Sequence, residues 1–338
     1  MVRFLVIFVA IGLAASARAV AAPGGEDIDW VVIGDPNNVA YHNQWGGVVD
    51  GRGSVPYEYR IGRYEVTTAQ WMEFVNTFST QSDDMRHFGI PFSWGAIADG
   101  EYNGPGTRWK INPWMPDAAS HPVHGIDWRI AARFCNWLHN GKSSDLSTIE
   151  DGAYDAGTFS LNGDGTFNDQ ATRHPGARFW IPSLDEWAKA AHYDPNYDGP
   201  GRGGWWIYPG GSDDALVPGH PGEGDTSATL YLEGEHIPLG AYGHVASPWG
   251  LLDLSGGTME WTEEMSSDRK FPWADGAPVF AFEDYLVIDR VDQMAMERPW
   301  VGGIWMGLRV ASAVPAPHSV GMAIVAVGWC MCRHRRNT

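Results

Sequence analysis

The chain has 338 residues, 44% of them hydrophobic, and a formal net charge of −18. That length supports one large domain or two small ones around a packed core. The acidity excludes nucleic acid as a partner, because phosphate binding needs clustered Lys and Arg. Gly (42) and Pro (22) exceed average usage without any period, and 18 Trp recur along the chain. This composition reads as a loop-rich globular protein whose core rests on large rings.

The N-terminus carries Arg3, an apolar run from Phe4 to Ala15, and small residues through Ala22. With the Ala15-Ser16-Ala17 and Ala17-Arg18-Ala19 sites, this predicts a secretory signal peptide over residues 1–22 and an exported body beginning at 23. Ile28–Ile33 and Tyr57–Val66 alternate apolar with polar and predict strands. Thr67 or Thr68 is the N-cap of a helix carrying Ala69, Trp71, Met72, Phe74 and Val75 at helical spacing. Residues 80–120 read as long loop.

Asp127 caps a second helix, Trp128 to Asn140, stopped by Gly141. Residues 142–178 read as an irregular insertion. Within it, Asn162 to Asp169 clusters oxygen side chains, yet Phe167 stands where a calcium loop needs Gly, so the stretch reads as a turn closing a hairpin. Ser183 and Glu186 form a capping-box pattern before a third helix, Leu184 to His192. Residues 194–225 read as loop, and 229–311 as short strands between turns. Three short helices among many brief strands give an α+β fold.

At the C-terminus, Val314-Pro315-Ala316-Pro317 precedes an apolar segment from Val320 to Cys332 and then Arg333, Arg335 and Arg336. No formal charge lies between Arg309 and Arg333, and an interval of that length can cross a bilayer, with the basic cluster on the cytoplasmic side. Residues 313–338 resemble a PEP-CTERM sorting tail, with Ala316 where the usual motif has Glu. That resemblance implies exosortase-type sorting machinery as a partner and a destination at the cell envelope or outer surface; a simple membrane anchor is the competing reading. Of three Cys, Cys330 and Cys332 lie in this tail, and Cys135 alone lies in the body, where it can form no internal disulfide.

Five stretches share an order and spacing with a known family. They are Gly62-Arg63-Tyr64-Glu65-Val66-Thr67, His121-Pro122-Val123 with Phe134-Cys135-Asn136-Trp137-Leu138, and Phe179-Trp180-Ile181-Pro182-Ser183-Leu184-Asp185-Glu186-Trp187. Trp249-Gly250-Leu251-Leu252-Asp253-Leu254 with Glu260-Trp261, and Gly307-Leu308-Arg309-Val310-Ala311, complete the set. Residues 23–312 thus resemble the formylglycine-generating, or sulfatase-modifying-factor, domain. The resemblance implies a loop-rich C-type-lectin-like fold. Read physically, Glu186 satisfies backbone donors and Arg309 pairs with a buried carboxylate.

Active members of that family oxidise a sulfatase cysteine with molecular oxygen, using two thiols that bind copper(I). The corresponding interval here, Thr262 to Met306, holds no Cys, so no catalytic residue is assigned and copper is not expected. Met294 and Met296 are thioethers in the interval, and Cys135 reads as a core residue. The family's Arg-Gly-Gly-Ser-Trp motif corresponds either to Asp275-Gly276-Ala277-Pro278 or to Gly302-Gly303-Ile304-Trp305. In the family, the Asn and Glu of Gly-Asn-x-x-Glu-Trp help bind calcium. Here Gly257 replaces the Asn, which leaves Glu260 with nearby carbonyls as the candidate calcium ligand. His121 and His124 lie three apart and read as loop chemistry, not as a metal pair.

Two functional readings follow. One is a non-catalytic surface module that binds or scaffolds, with Trp94, Trp109, Trp114, Trp205 and Trp206 available to stack on surface carbohydrate. The other is an enzyme of the formylglycine-generating family acting on sulfatases or another substrate.

Overall fold

Each of the three α-helices among the described residues forms where its cap and its apolar stripe coincide. The first, α1 (Thr68–Ser79), starts at Thr67, whose hydroxyl accepts from the Gln70 N–H while Gln70 returns a bond to the Thr67 N–H. The second, α2 (Trp128–His139), starts at Asp127 and ends before Gly141, which takes φ +69°. The third, α3 (Leu184–His192), starts at Ser183 with Glu186 completing the capping box. Each cap contributes about 1 kcal/mol. The apolar faces of α1 and α2 meet in an aromatic cluster in which Trp71 packs 5.2 Å from both Phe74 and Phe134.

This computed structural model describes residues 27–44, 46–81, 95–231, 237–279 and 287–315. The expected signal peptide, nearly all of the expected tail and Trp94 lie outside the described residues. Ala22–Val314 forms one compact unit.

Two four-stranded sheets organise this unit. The first contains β1 (Trp30–Ile33) and β2 (Tyr59–Gly62). A hairpin of β3 (Ala96–Ala98) and β4 (Trp109–Ile111) stands apart. Next come β5 (Phe179–Trp180) and the short pair β6 (Tyr193–Asp194) and β7 (Gly204–Trp205). The second sheet uses β8 (Met259–Met265), β9 (Pro272–Asp275), β10 (Ala295–Met296) and β11 (Met306–Gly307), and β12 (Ala311–Ala313) ends the order. The sheets run β1-β2-β12-β5 and β10-β9-β8-β11. The last strand is inserted between β2 and β5, pairing Ala311 with both Ile61 and Trp180. The two ends of the body are thereby stitched into one sheet.

Three sequence expectations change. The predicted strand Tyr57–Val66 shortens to Tyr59–Gly62, and all four residues are buried. Both edges of β2 are paired and both faces covered, so its sequence alternation does not become an in-out alternation. Residues 80–120 contain the β3–β4 hairpin, and 194–225 contain β7 and its pairing with β6. Strands of two or three residues fall below the length at which periodicity is readable. The insertion at 142–178 holds two single 3-10 turns, Leu146–Ile149 and Ala156–Thr158, and the Leu161–Phe167 bridge. The stretch from Asn162 closes a hairpin as expected, with Asp164 accepting from the Thr166 N–H and hydroxyl.

Candidate functional site

Strand β8 carries acids into the interior. Glu260 is buried, and its carboxylate faces Arg309 from both nitrogen positions, with Nη2 to Oε1 at 2.7 Å and Nε to Oε2 at 2.9 Å. Trp187 Nε1 donates to Oε2 at 2.6 Å. Arg309 also donates to the carbonyls of Gly62, Arg63, Leu252 and Asp253. The expected pairing of Arg309 with a buried acid is therefore present, and it ties two separated loops to β8.

This arrangement tests the calcium expectation. Both Glu260 oxygens are taken by an arginine and an indole, so the donor set at Glu260 does not fit a calcium ion, which needs six to eight free oxygens. Beside it, Glu65 accepts from Thr258 through one oxygen, while its other oxygen is buried without a partner. Burial first, and the neighbouring Glu260 next, hold the Glu65 carboxyl well above the usual range. A Cβ at Gly257 would lie 2.7 Å from that free oxygen, so the missing Asn side chain leaves the space Glu65 fills. Among the described residues, no group of three or more His, Cys, Asp or Glu is arranged to hold a metal ion.

Other flagged residues scatter. Cys135 is fully buried in α2, and burial pushes its thiol well up. His124 sits against the Ile304 carbonyl at 2.9 Å. Met294 is half-buried against a small apolar cluster, whereas Met296 is exposed. Trp205 bonds to the Val39 carbonyl and Trp206 packs in a tilted arrangement 4.5 Å from Tyr197, so both serve packing. Trp109 is half-buried, and of the four described residues among those five expected tryptophans Trp114 alone presents a largely free ring, 86% exposed.

Sequence reasoning missed a different constellation. The register of β8 shifts against β9 between Trp261 and Met265, and Glu263 lies within that irregularity. Bulges of this kind re-aim a side chain. Glu263 accepts from Tyr154 Oη at 2.7 Å, from the Arg173 N–H at 2.8 Å and from Arg173 Nη1 at 2.6 Å. Arg173 reaches on to Glu186, with Nη2 to Oε1 at 2.9 Å, and to Tyr57 Oη at 2.7 Å. Its guanidinium lies 4.2 Å from the centre of the Trp180 ring. Glu186 is also held by Trp180 Nε1 and by the Ser183 N–H, so the helix cap doubles as an ion-pair partner.

The electrostatics follow from burial. Burial raises the Glu263 carboxyl against the lowering by Arg173, and the balance leaves it at about 7. Burial works against the charged guanidinium of Arg173, but Glu186 and Glu263 more than offset it and its proton is held more tightly. Burial and Glu186 raise the Tyr57 hydroxyl, which stays a donor. An open groove of about 500 Å³ runs over these groups, bounded by Tyr57, His174, Trp180, Ser183, Glu263 and Ala313. The β8 segment Met-Glu-Trp-Thr-Glu-Glu-Met, three acids within seven residues, was the one readable signal. Arg173, inside the irregular insertion, gave none.

Solved structures of similar fold include CarF, at 17% identity and a TM-score of 0.48, covering 85% of this chain and 98% of that one. Treponema denticola variable protein 1 is similar at 17% identity and a TM-score of 0.49, over 84% of this chain and 94% of that one. PvdO from Pseudomonas aeruginosa follows at 14% identity and 0.48, over 87% and 98%. Identities this low carry nothing about ligand or activity. No curated protein sequence matches the chain. The model of the sulfatase-modifying factor enzyme 1-like domain matches residues 53–314, most of the chain, and the protein belongs to that family.

Proposed function

We propose that this protein is an exported, surface-held member of its family that binds or scaffolds and does not perform the copper–thiol oxidation. One observation carries the reading. The body outside the tail has a single cysteine, Cys135, and it is 0% exposed in the α1–α2 core with its thiol pushed well up by burial. Two thiolates on one copper(I) ion are the soft ligand set the oxidation requires, and a lone buried thiol does not supply it. The interval Thr262–Met306, where the family carries its pair, has none.

In this reading, the signal peptide and the PEP-CTERM-like tail deliver the body through exosortase-type machinery to the envelope. The groove over Arg173 and Glu263 is then its ligand-facing side, and Trp114, the most exposed tryptophan among the described residues, is suited to stacking on a surface carbohydrate. The competing reading, an oxidase of the formylglycine-generating type, has the family match in its favour. The test is oxygen consumption and thiol loss when the purified protein is given copper(I) and a cysteine-containing sulfatase peptide. No copper uptake and no turnover is the expected result. Stoichiometric copper with oxygen uptake and loss of the peptide thiol would overturn the proposal.

A further inference from the structure

The surroundings of Arg173 form a receptor in their own right. Glu186 is fixed by Ser183 and by Trp180 Nε1, and Glu263 by Tyr154, none of which depends on Arg173. Two carboxylates, a tyrosine hydroxyl and the face of an indole therefore converge on one point before the guanidinium arrives. That is the donor-matched, aromatic-faced geometry that a guanidinium prefers.

The occupant is held on a short tether. Thr172, His174, Pro175 and Gly176 around Arg173 are exposed, and Gly176 takes φ +87°. The backbone of this tip is tied by few bonds, chiefly the Arg173 N–H to Glu263, the His174 N–H to the Ala153 carbonyl, and the Ala177 N–H to the His174 carbonyl. The groove is lined by Arg173 itself and by Glu263, with Glu186 buried behind the guanidinium. Two carboxyl groups face one guanidinium, and above the Glu263 value of about 7 the charge balance of the pocket favours a cation.

We propose that this pocket is a guanidinium receptor occupied in the free protein by the chain's own Arg173, and that its exchange partner is an arginine side chain on another polypeptide. The inference rests on reading the groove as the ligand-facing side of a binding module. Removing Arg173 then has a diagnostic sign. A residue that only stabilises the fold weakens binding or leaves it unchanged when lost, whereas an internal competitor tightens it.

The experiment is titration calorimetry of the full chain, wild type and Arg173→Ala, with acetyl-Gly-Arg-Gly-amide and its neutral citrulline counterpart. At least tenfold tighter binding of the arginine peptide by R173A, with no binding of the citrulline peptide by either protein, is expected. Equal or weaker binding by R173A, or equal binding of the two peptides, would overturn the proposal. Should R173A not fold in buffer, its Tm is read with millimolar methylguanidinium. A saturable recovery of the native transition supports the receptor, and no recovery sinks it. Copper-dependent oxygen uptake in the earlier assay would overturn the non-oxidase reading while leaving this affinity comparison intact.

Discussion

Arg309→Met is the substitution that most directly tests how this body is held together. The Arg309 side chain is fully buried and donates to Glu260 and to four backbone carbonyls from two separate loops. Breaking a buried ion pair by removing one partner costs about 3–5 kcal/mol. Each carbonyl stripped of its donor adds about 1 kcal/mol where no other partner replaces it. A loss of at least about 5 kcal/mol is therefore expected, a large part of the roughly 5–15 kcal/mol that typically holds a domain. Adding Glu260→Gln removes the stranded charge while leaving an acceptor for Trp187 Nε1, so the double variant should cost less than the sum by about 2 kcal/mol. Urea unfolding followed by tryptophan fluorescence, run as a double-mutant cycle, measures both numbers. A loss below about 1 kcal/mol for Arg309→Met, or strict additivity, would refute the reasoning.

Stability should fall as pH rises from 5 to 8. Burial raises Glu263 and Asp289 to about 7 and Asp127 and Asp253 to about 6. The folded state then holds protons that the unfolded chain releases near pH 4, and this contribution is lost as pH climbs through 6 and 7. A urea midpoint that rises over that range would contradict it, and Glu263→Gln should flatten the slope. Gly53→Ala should destabilise by about 1–3 kcal/mol from backbone strain alone. Gly53 takes φ +85°, and a Cβ there would lie 2.2 Å from the Trp205 ring. Gly163→Ala, with open space around it, is the matched control, and equal melting temperatures would refute the steric argument. Ser183→Ala should cost about 1 kcal/mol through loss of the α3 cap, measured by thermal denaturation, and an unchanged Tm would show that Glu186 holds the helix end alone.

The helices were legible because their information is local. Thr67 with Gln70, Asp127 with Gly141, and Ser183 with Glu186 each specify an end within a few residues, and the apolar positions between them recur at helical spacing. The same holds for the turn at Asn162 and for the core placement of Cys135. The five family stretches were legible for a related reason, since each is a cap, a strand end or a buried pair whose chemistry is written in adjacent residues. Glu260 was seen as an oxygen donor, but its partner was not, because Arg309 lies 49 positions away.

Sequence alone thus determined the fold class, the helices and their caps, and the lone cysteine of the body. Tertiary structure decided where β12 enters the first sheet, which acids are neutralised by arginine, and which tryptophans remain free. It also decided that Tyr57, Arg173, Glu186 and Glu263 meet. Arg173 and Glu263 are 90 positions apart, and a bulge in β8 with no local marker turns Glu263 toward the groove. Caps and periodicity act over one or two turns of chain, whereas an ion pair forms wherever packing leaves two charges without water.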